Sequence, residues 1–266
     1  LEVDADASWI KLIDAGRAVE INNVRGFLPS RIVQFTMNLH TTRRSIYLTR
    51  HGQSEYNVSG KIGGDSSLSE LGEAYAVRLA EWVQEELCFD AQGRPQLARL
   101  WTSSLKRAVD TARHIPHPPV VVDGIEYVQM RPKVFNNLDE IFAGVCDGMS
   151  PEELARNYPH DMESRAANKF EYRYPRGEAY VDLIARLEPL AHEIERQREP
   201  LRIVAHHAVL RCLYAYLMGL NREECVRVSI PLNTVFKLTP TSSGCKVEHF
   251  SLLEVPPELR KEPASH

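Results

Sequence analysis

No part of this 266-residue chain runs apolar and uncharged for the roughly 18 residues that a membrane span needs, and no signal-peptide core opens it. Cysteine is sparse as well. The five residues Cys88, Cys146, Cys212, Cys225 and Cys245 are odd in number and scattered, with no CxxC pair. That usage speaks against a disulfide framework and for reduced thiols in a cytoplasmic protein. Positive charge is in deficit: 32 Lys and Arg against 36 Asp and Glu leave a net charge of −4. General binding of nucleic acid, which needs a basic face, is therefore not expected, and any anion site must be a local cluster. Neither HExxH nor a cysteine cluster is present to hold a metal. The phosphate loop GxxxxGK[ST] is missing too. Ser59–Gly64 only faintly suggests one, because Lys61 is followed by Ile62. No repeat or low-complexity stretch appears.

What is there is ordinary globular material, 43% apolar and 26% charged, long enough for one substantial core. The chain opens on Leu1 and reads as a piece of something longer. Residues 1–44 read as a leader, with a strand expected at Arg31–Leu39 and a polar bridge at His40–Arg44. The main domain is expected over 45–252 and a loose polar tail over 253–266. From Ser45 the pattern alternates. A strand at 45–49 precedes a Gly- and Ser-rich loop and a helix at about 69–87, with Ser69 as its N-cap. A short strand at 99–101 leads to a helix at 104–114 with Leu105, Ala108, Val109 and Ala112 inward. Residues 115–150 read as irregular apart from β-like Val120–Val122. Helices follow at 151–158 and 180–196, the latter expected to kink or split at Pro189. A buried strand at 201–205, a helix at 207–218 and a hairpin at 234–238 and 245–250 complete the pattern. Strands alternating with helices predict an α/β fold with a mostly parallel sheet flanked by helices.

In such sheets ligands sit beyond the carboxyl ends of the strands, so the residues that follow each strand matter most. After 45–49 come Arg50, His51 and Gly52. After 99–101 come Thr102, Ser103 and Ser104, with Arg107 one turn on. After 201–205 come His206 and His207, with Arg211 one turn on. Imidazoles, guanidiniums and hydroxyls thus converge on one edge. Arginine supplies bidentate recognition of phosphate oxygens, and Gly52 permits close backbone approach to a bound group. A neutral histidine can take a phosphoryl group covalently while cations neutralise its oxygens in flight. The leaving alkoxide needs an acid, for which Glu140 is the candidate, with Asp139 and Asp147 as rivals.

Arg50-His51-Gly52, with Ser54 and Asn57 downstream and a late His206, resembles the histidine phosphatase superfamily of phosphoglycerate mutases and acid phosphatases. The series GKIGGDSSLSELG, LWTSSLKR, LDEIFAGVCDGM, YRYPRGEAY, RLEPL and HHAVLRCLYAY, with the terminal LTP and GCKVE, makes the match closer. Over about residues 45–252 it resembles the bisphosphatase family of the bifunctional 6-phosphofructo-2-kinase/fructose-2,6-bisphosphatases. SWIKLID and MNLH within residues 8–44 resemble the end of that family's kinase domain and its connecting segment.

The resemblance implies a three-layer sandwich of the phosphoglycerate mutase type. It implies hydrolysis of the C2 phosphate of fructose 2,6-bisphosphate through a phosphohistidine, with no metal or cofactor. The partners it implies are the sugar bisphosphate and an N-terminal kinase domain, in a parent that could be homodimeric. It makes His51 the nucleophile and Glu140 the proton donor, with His206 beside them. Arg50, Asn57, Arg107 and His206 would surround the phosphate removed, and Gly63 would lie against the substrate. Arg165, Lys169, Tyr180 and Arg211 would hold the 6-phosphate and sugar. Three departures stand out: Gln53 replaces a carboxylate, Pro151 a tyrosine and His207 a glutamine. The segment 114–137 is longer than usual. Alternatives are a phosphoglycerate mutase or broader sugar phosphatase of the same superfamily, and a non-catalytic sugar-phosphate-binding module. Read without the resemblance, Arg165 and Lys169 would be a solvated face and Tyr180 simple core.

Overall fold

The computed structural model describes residues 6–14, 17–38, 42, 44–89, 92–241 and 243–254. Most of the expected bridge at 40–44 and the tail from 255 onward lie outside these residues. The chain begins with an antiparallel hairpin, β1 (Trp9–Ile13) and β2 (Ala18–Asn22), followed by helix α1 (Phe27–Asn38). The expected strand at 31–39 is therefore wrong. The i,i+4 pair Arg31 and Phe35 reaches a second helix, where Arg31 is ion-paired with Glu188 and Phe35 lies edge-on to His192. Packing at helical spacing overrode a β-rich composition.

Strand β3 (Ile46–Arg50) is buried at every position, as a central parallel strand must be. After the one-turn helix α2 (Glu55–Val58) comes α3 (Glu70–Glu86), capped by the Ser69 hydroxyl, which accepts from Gly72 N–H. Strand β4 (Arg99–Thr102) leads into α4 (Lys106–Ala112). Ala108 and Ala112 face inward there, but Val109 is 41% exposed, which corrects its place on the inner stripe. The stretch read as irregular contains a hairpin, β5 (Pro119–Val122) with β6 (Ile125–Val128), and an edge strand β7 (Pro132–Val134). Helices α5 (Pro151–Asn157) and α6 (Pro159–Ala167) follow, the second unforeseen. Helix α7 (Tyr180–Arg196) runs through Pro189 as one element, so the expected split does not occur. Strand β8 (Leu201–Ala205), helix α8 (His207–Met218) and the antiparallel pair β9 (Thr234–Thr241) and β10 (Gly244–Ser251) finish the fold.

The six-stranded sheet has the order β10-β9-β3-β8-β4-β7, parallel from β3 to β7. Its two faces carry separate cores, which makes the three layers. Ile46, Leu48, Leu201 and Ile203 pack with α7 and α8, while Tyr47, Leu100 and Val204 pack with α3 and α4. The period-2 alternation of β3 and β8 divides one buried run between two helix layers.

Candidate active site

The parallel register builds the site. Arg50 pairs with Ala205, and the ladder runs one step further as His51 N–H donates to the Ala205 carbonyl at 2.9 Å. On the opposite flank Ser103 N–H donates to the Val204 carbonyl at 3.2 Å. His51, His206 and Ser103 therefore arrive together at the carboxyl edge of three adjacent strands.

His51 Nδ1 lies 2.7 Å from the Gly52 carbonyl. A carbonyl only accepts, so Nδ1 carries the proton. Nε2 accepts from Arg107 Nε–H at 3.1 Å. Burial, followed by the charges of Arg107 and Arg50, holds the His51 pKa well below the usual value, so the ring is neutral. The ring of His206 is centred 5.0 Å away, fully buried, with Nε2 2.6 Å from Ser103 Oγ. Burial and then Arg107 and His51 depress its pKa in the same way.

Both arginines near these rings are held from behind. Arg50 Nη1 donates to the Ile230 carbonyl at 3.0 Å, and Arg107 Nη1 to the Gly64 carbonyl at 2.6 Å. Asn57 Oδ1 accepts from Ser54 N–H and Oγ–H, which leaves its NH2 end as the donor to offer. Gly63 has a φ of +63°, and a Cβ there would meet Asp147 Oδ1 at 1.8 Å. Gly52 also makes a close approach within the protein. A Cβ on it would lie 2.5 Å from the Gly72 carbonyl oxygen, so the close approach is to α3. Gln53 is tied by Oε1 to the Ser69 hydroxyl at 2.9 Å, a role that needs an acceptor but no charge.

Glu140 reaches the first turn of α8, where its Oε1 accepts from Ala208 N–H at 3.1 Å and from Ile141 N–H at 2.9 Å. The rivals are engaged elsewhere. Asp139 accepts from Ser104 N–H and Oγ–H, both at 2.7 Å, and Asp147 from Gly64 N–H at 2.8 Å. Sequence reasoning missed Arg186, which donates to the Asn137 and Asp139 carbonyls at 2.8 and 3.0 Å and pins the loop that carries Glu140. An arginine on a helix face gives no signal of that in the sequence.

A cleft of about 170 Å³ gathers most of these groups. Arg50, His51, Asn57, Gly63, Arg107 and Glu140 line it, together with Arg165, Tyr180, His207 and Arg211. His206 and Lys169 are not among the residues that line it. Arg165 is 8% exposed and stacked over Tyr174 at 5.2 Å, so it is no solvated face. Tyr174 was not foreseen. The Tyr180 hydroxyl accepts from Arg211 Nη1 at 3.2 Å, and burial pushes its pKa up to about 12. Lys169 is lowered to about 8 by burial and then by Arg211 and Arg165, with Glu140 opposing. His207 falls to about 2 through burial and the charges of Arg50, Arg211 and Lys169. Two groups of cations thus flank His207: Arg50 with Arg107 by His51, and Arg165, Lys169 and Arg211 beyond it. Pro151 is the first residue of α5, capped by Ser150, and is not on the cleft wall. Among the described residues no three His, Cys, Asp or Glu side chains gather as a metal site would require.

Residues 46–252 match the histidine phosphatase superfamily (branch 1), and residues 1–43 match 6-phosphofructo-2-kinase. The chain is 46% identical over 244 residues to fructose-2,6-bisphosphatase of Saccharomyces cerevisiae, covering 92% of this chain and 50% of that protein. It is 43% identical over 251 residues to human 6-phosphofructo-2-kinase/fructose-2,6-bisphosphatase 1, covering 94% of this chain and 49% of that protein. The chain thus spans about half the length of these curated relatives. Among solved structures, a mycobacterial glucosyl-3-phosphoglycerate phosphatase superposes with a TM-score of 0.59 at 23% identity, covering 77% of this chain and 97% of that one. The alpha-ribazole phosphatase of Shigella flexneri gives 0.62 at 20%, covering 78% and 96%. At these identities the structures speak for the fold.

Proposed function

The chain belongs to the histidine phosphatase superfamily, and from that premise we propose that it hydrolyses the C2 phosphate of fructose 2,6-bisphosphate, releasing fructose 6-phosphate and phosphate. The observation that carries this reading is the pairing of two cation groups in one cleft. Arg50 and Arg107 surround the neutral His51, and Arg165 and Arg211 line the same cleft beside Lys169, whose pKa is lowered to about 8 by burial and then by their charges. The second group is arranged for a second anion. A substrate with two phosphates satisfies both, and the relatives named for that substrate support the choice.

The chemistry follows from the protons. His51 Nε2 attacks phosphorus as Arg107 transfers its hydrogen bond to the arriving oxygens. The bond from phosphorus to the C2 oxygen breaks, and its electron pair stays on that oxygen. Glu140, held at the start of α8, supplies the proton. Water then attacks the phosphohistidine, Glu140 takes up its proton, and His51 leaves as the neutral imidazole. Arg50 and Arg107 neutralise charge on the transferring oxygens, and Asn57 and His206 donate hydrogen bonds to them. Arg165, Lys169, Tyr180 and Arg211 hold the 6-phosphate and sugar, and Gly63 borders the substrate. His207, between the groups, takes the place of the glutamine donor.

The same reading extends to the parent. A kinase domain precedes residue 44 in it, and residues 1–44, 45–252 and 253–266 are leader, catalytic domain and tail. A cytoplasmic site fits five cysteines with no disulfide among them. Turnover compared on fructose 2,6-bisphosphate and on 2- and 3-phosphoglycerate tests the substrate. Preference for a phosphoglycerate would make the chain a mutase or broader phosphatase, and tight binding without phosphate release would make it a binding module. Pulse-labelling should place an acid-labile, base-stable phosphate on His51. Label trapped by His51→Ala would overturn the nucleophile.

A further inference from the structure

Two adjacent imidazoles in one anion site must do different things. One must present a lone pair to phosphorus and the other a proton to an oxygen. Nothing in the ring itself decides which, since neutral imidazole carries one proton on either nitrogen. The decision lies in what each ring meets on its far side. For His51 that is the Gly52 carbonyl, 2.7 Å from Nδ1, which fixes the proton there and leaves Nε2 as the lone pair.

For His206 the far side is Ser103. Its hydroxyl oxygen lies 2.6 Å from His206 Nε2 and accepts from Leu105 N–H at 3.2 Å. Ser103 is fully buried, and no other partner meets its hydroxyl among the described residues. Hydrogen-bond accounting then separates the two tautomers. If His206 carried its proton on Nε2, the Ser103 oxygen would accept twice and its own O–H would be buried without an acceptor. Nδ1 would also turn a lone pair toward incoming phosphate oxygens. If the proton is on Nδ1, Ser103 donates to Nε2, and every atom of the pair is satisfied except His206 Nδ1–H. That nitrogen is fully buried and meets no partner among the described residues. A donor without an acceptor, 5.0 Å ring to ring from the nucleophile, is what a phosphate oxygen would complete.

We infer that Ser103 is the positioning residue of the site: by donating to His206 Nε2 it fixes the Nδ1–H tautomer and makes His206 a hydrogen-bond donor to the transferred phosphoryl group. His51 and His206 thus hold the same tautomer and present opposite edges, one selected by a backbone carbonyl and the other by a serine hydroxyl. The inference rests on the phosphohistidine reading above for its consequence, but the tautomer itself does not depend on any substrate.

The test is 15N NMR of the ring nitrogens in the intact chain, with His206→Asn used to assign the signals. In the wild type His206 should show a pyridine-type Nε2 and a protonated Nδ1, and titration with inorganic phosphate should move the Nδ1 resonance. Ser103→Ala should populate the Nε2–H form and lower kcat at least about 10-fold with little change in KM, a milder loss than the 10²–10³ for deleting a donor outright. Ser103→Thr, which keeps the hydroxyl, should restore both. A wild-type His206 protonated on Nε2, or an Nδ1 signal indifferent to phosphate, overturns the inference, and neither measurement needs Ser103→Ala to fold. An alanine variant with unchanged tautomer and kcat overturns it as well. If the tautomer behaves as expected but fructose 2,6-bisphosphate is not hydrolysed, only the substrate assignment falls.

Discussion

Glu140, from an irregular loop, accepts a 3.1 Å hydrogen bond from the backbone N–H of Ala208, two residues after His206. The proposed acid is thereby fastened to the same helix start that follows the second histidine.

Glu140→Gln separates the two duties of that side chain. The amide oxygen can still accept from Ala208 and Ile141, so the cleft should keep its shape and KM should change little. The proton can no longer be given, and kcat should fall by roughly 10²–10⁴-fold. Steady-state kinetics on fructose 2,6-bisphosphate would show it, and near-normal turnover would reassign the acid.

The proposed place of Lys169 beside the 6-phosphate gives the substrate affinity a basic flank. Burial beside Arg211 and Arg165 lowers its pKa to about 8, so its charge is lost as pH rises through that value. KM for the bisphosphate should climb above about pH 8 in the wild type. Lys169→Arg, always charged, should keep KM flat there. A matching climb in both would remove Lys169 from the 6-phosphate site.

His51 and His206 should make the fold acid-sensitive. Their folded pKa values lie well below the unfolded value of about 6.5, so as pH falls past it the unfolded chain binds protons that the folded chain refuses. Stability from these groups is complete above about pH 6.5 and is lost below it, each contributing a slope of about 1.4 kcal/mol per pH unit. Denaturant titrations between pH 7 and 5 should show a shallower decline in His206→Asn than in the wild type.

Arg202 is the group most out of place in the core. It is 1% exposed, lies over the Trp82 ring at 5.2 Å, and its guanidinium nitrogens meet no hydrogen-bond acceptor among the described residues. Burial lowers its pKa to about 10. Desolvating an unpaired cation costs more than one aromatic contact returns, so Arg202→Met should hold or raise Tm. A clear fall in Tm would show the cation–π contact to be the stronger effect.

The sequence by itself determined the alternation of strands and helices, because burial of β3 and β8 on both faces leaves short, mostly apolar runs between helical patterns. It also determined which residues stand at the strand ends, and through resemblance the family and the names of the second anion group. It misread Arg31–Leu39, where a β-rich composition folds as a helix once Arg31 and Phe35 find α7. It missed α6, whose polar surface carries little periodic apolar signal, and so could not see that Arg165 is buried against Tyr174. The tertiary structure alone distinguishes the surroundings of Glu140, Asp139 and Asp147, since all three are acids in a loop and only their partners differ. It alone revealed Arg186 behind that loop and Gly52 against Gly72. It also decided the unequal edges of His51 and His206. Two identical side chains meet different partners, a carbonyl and a hydroxyl, and the parallel register of three strands separated in sequence is what brings those partners to them.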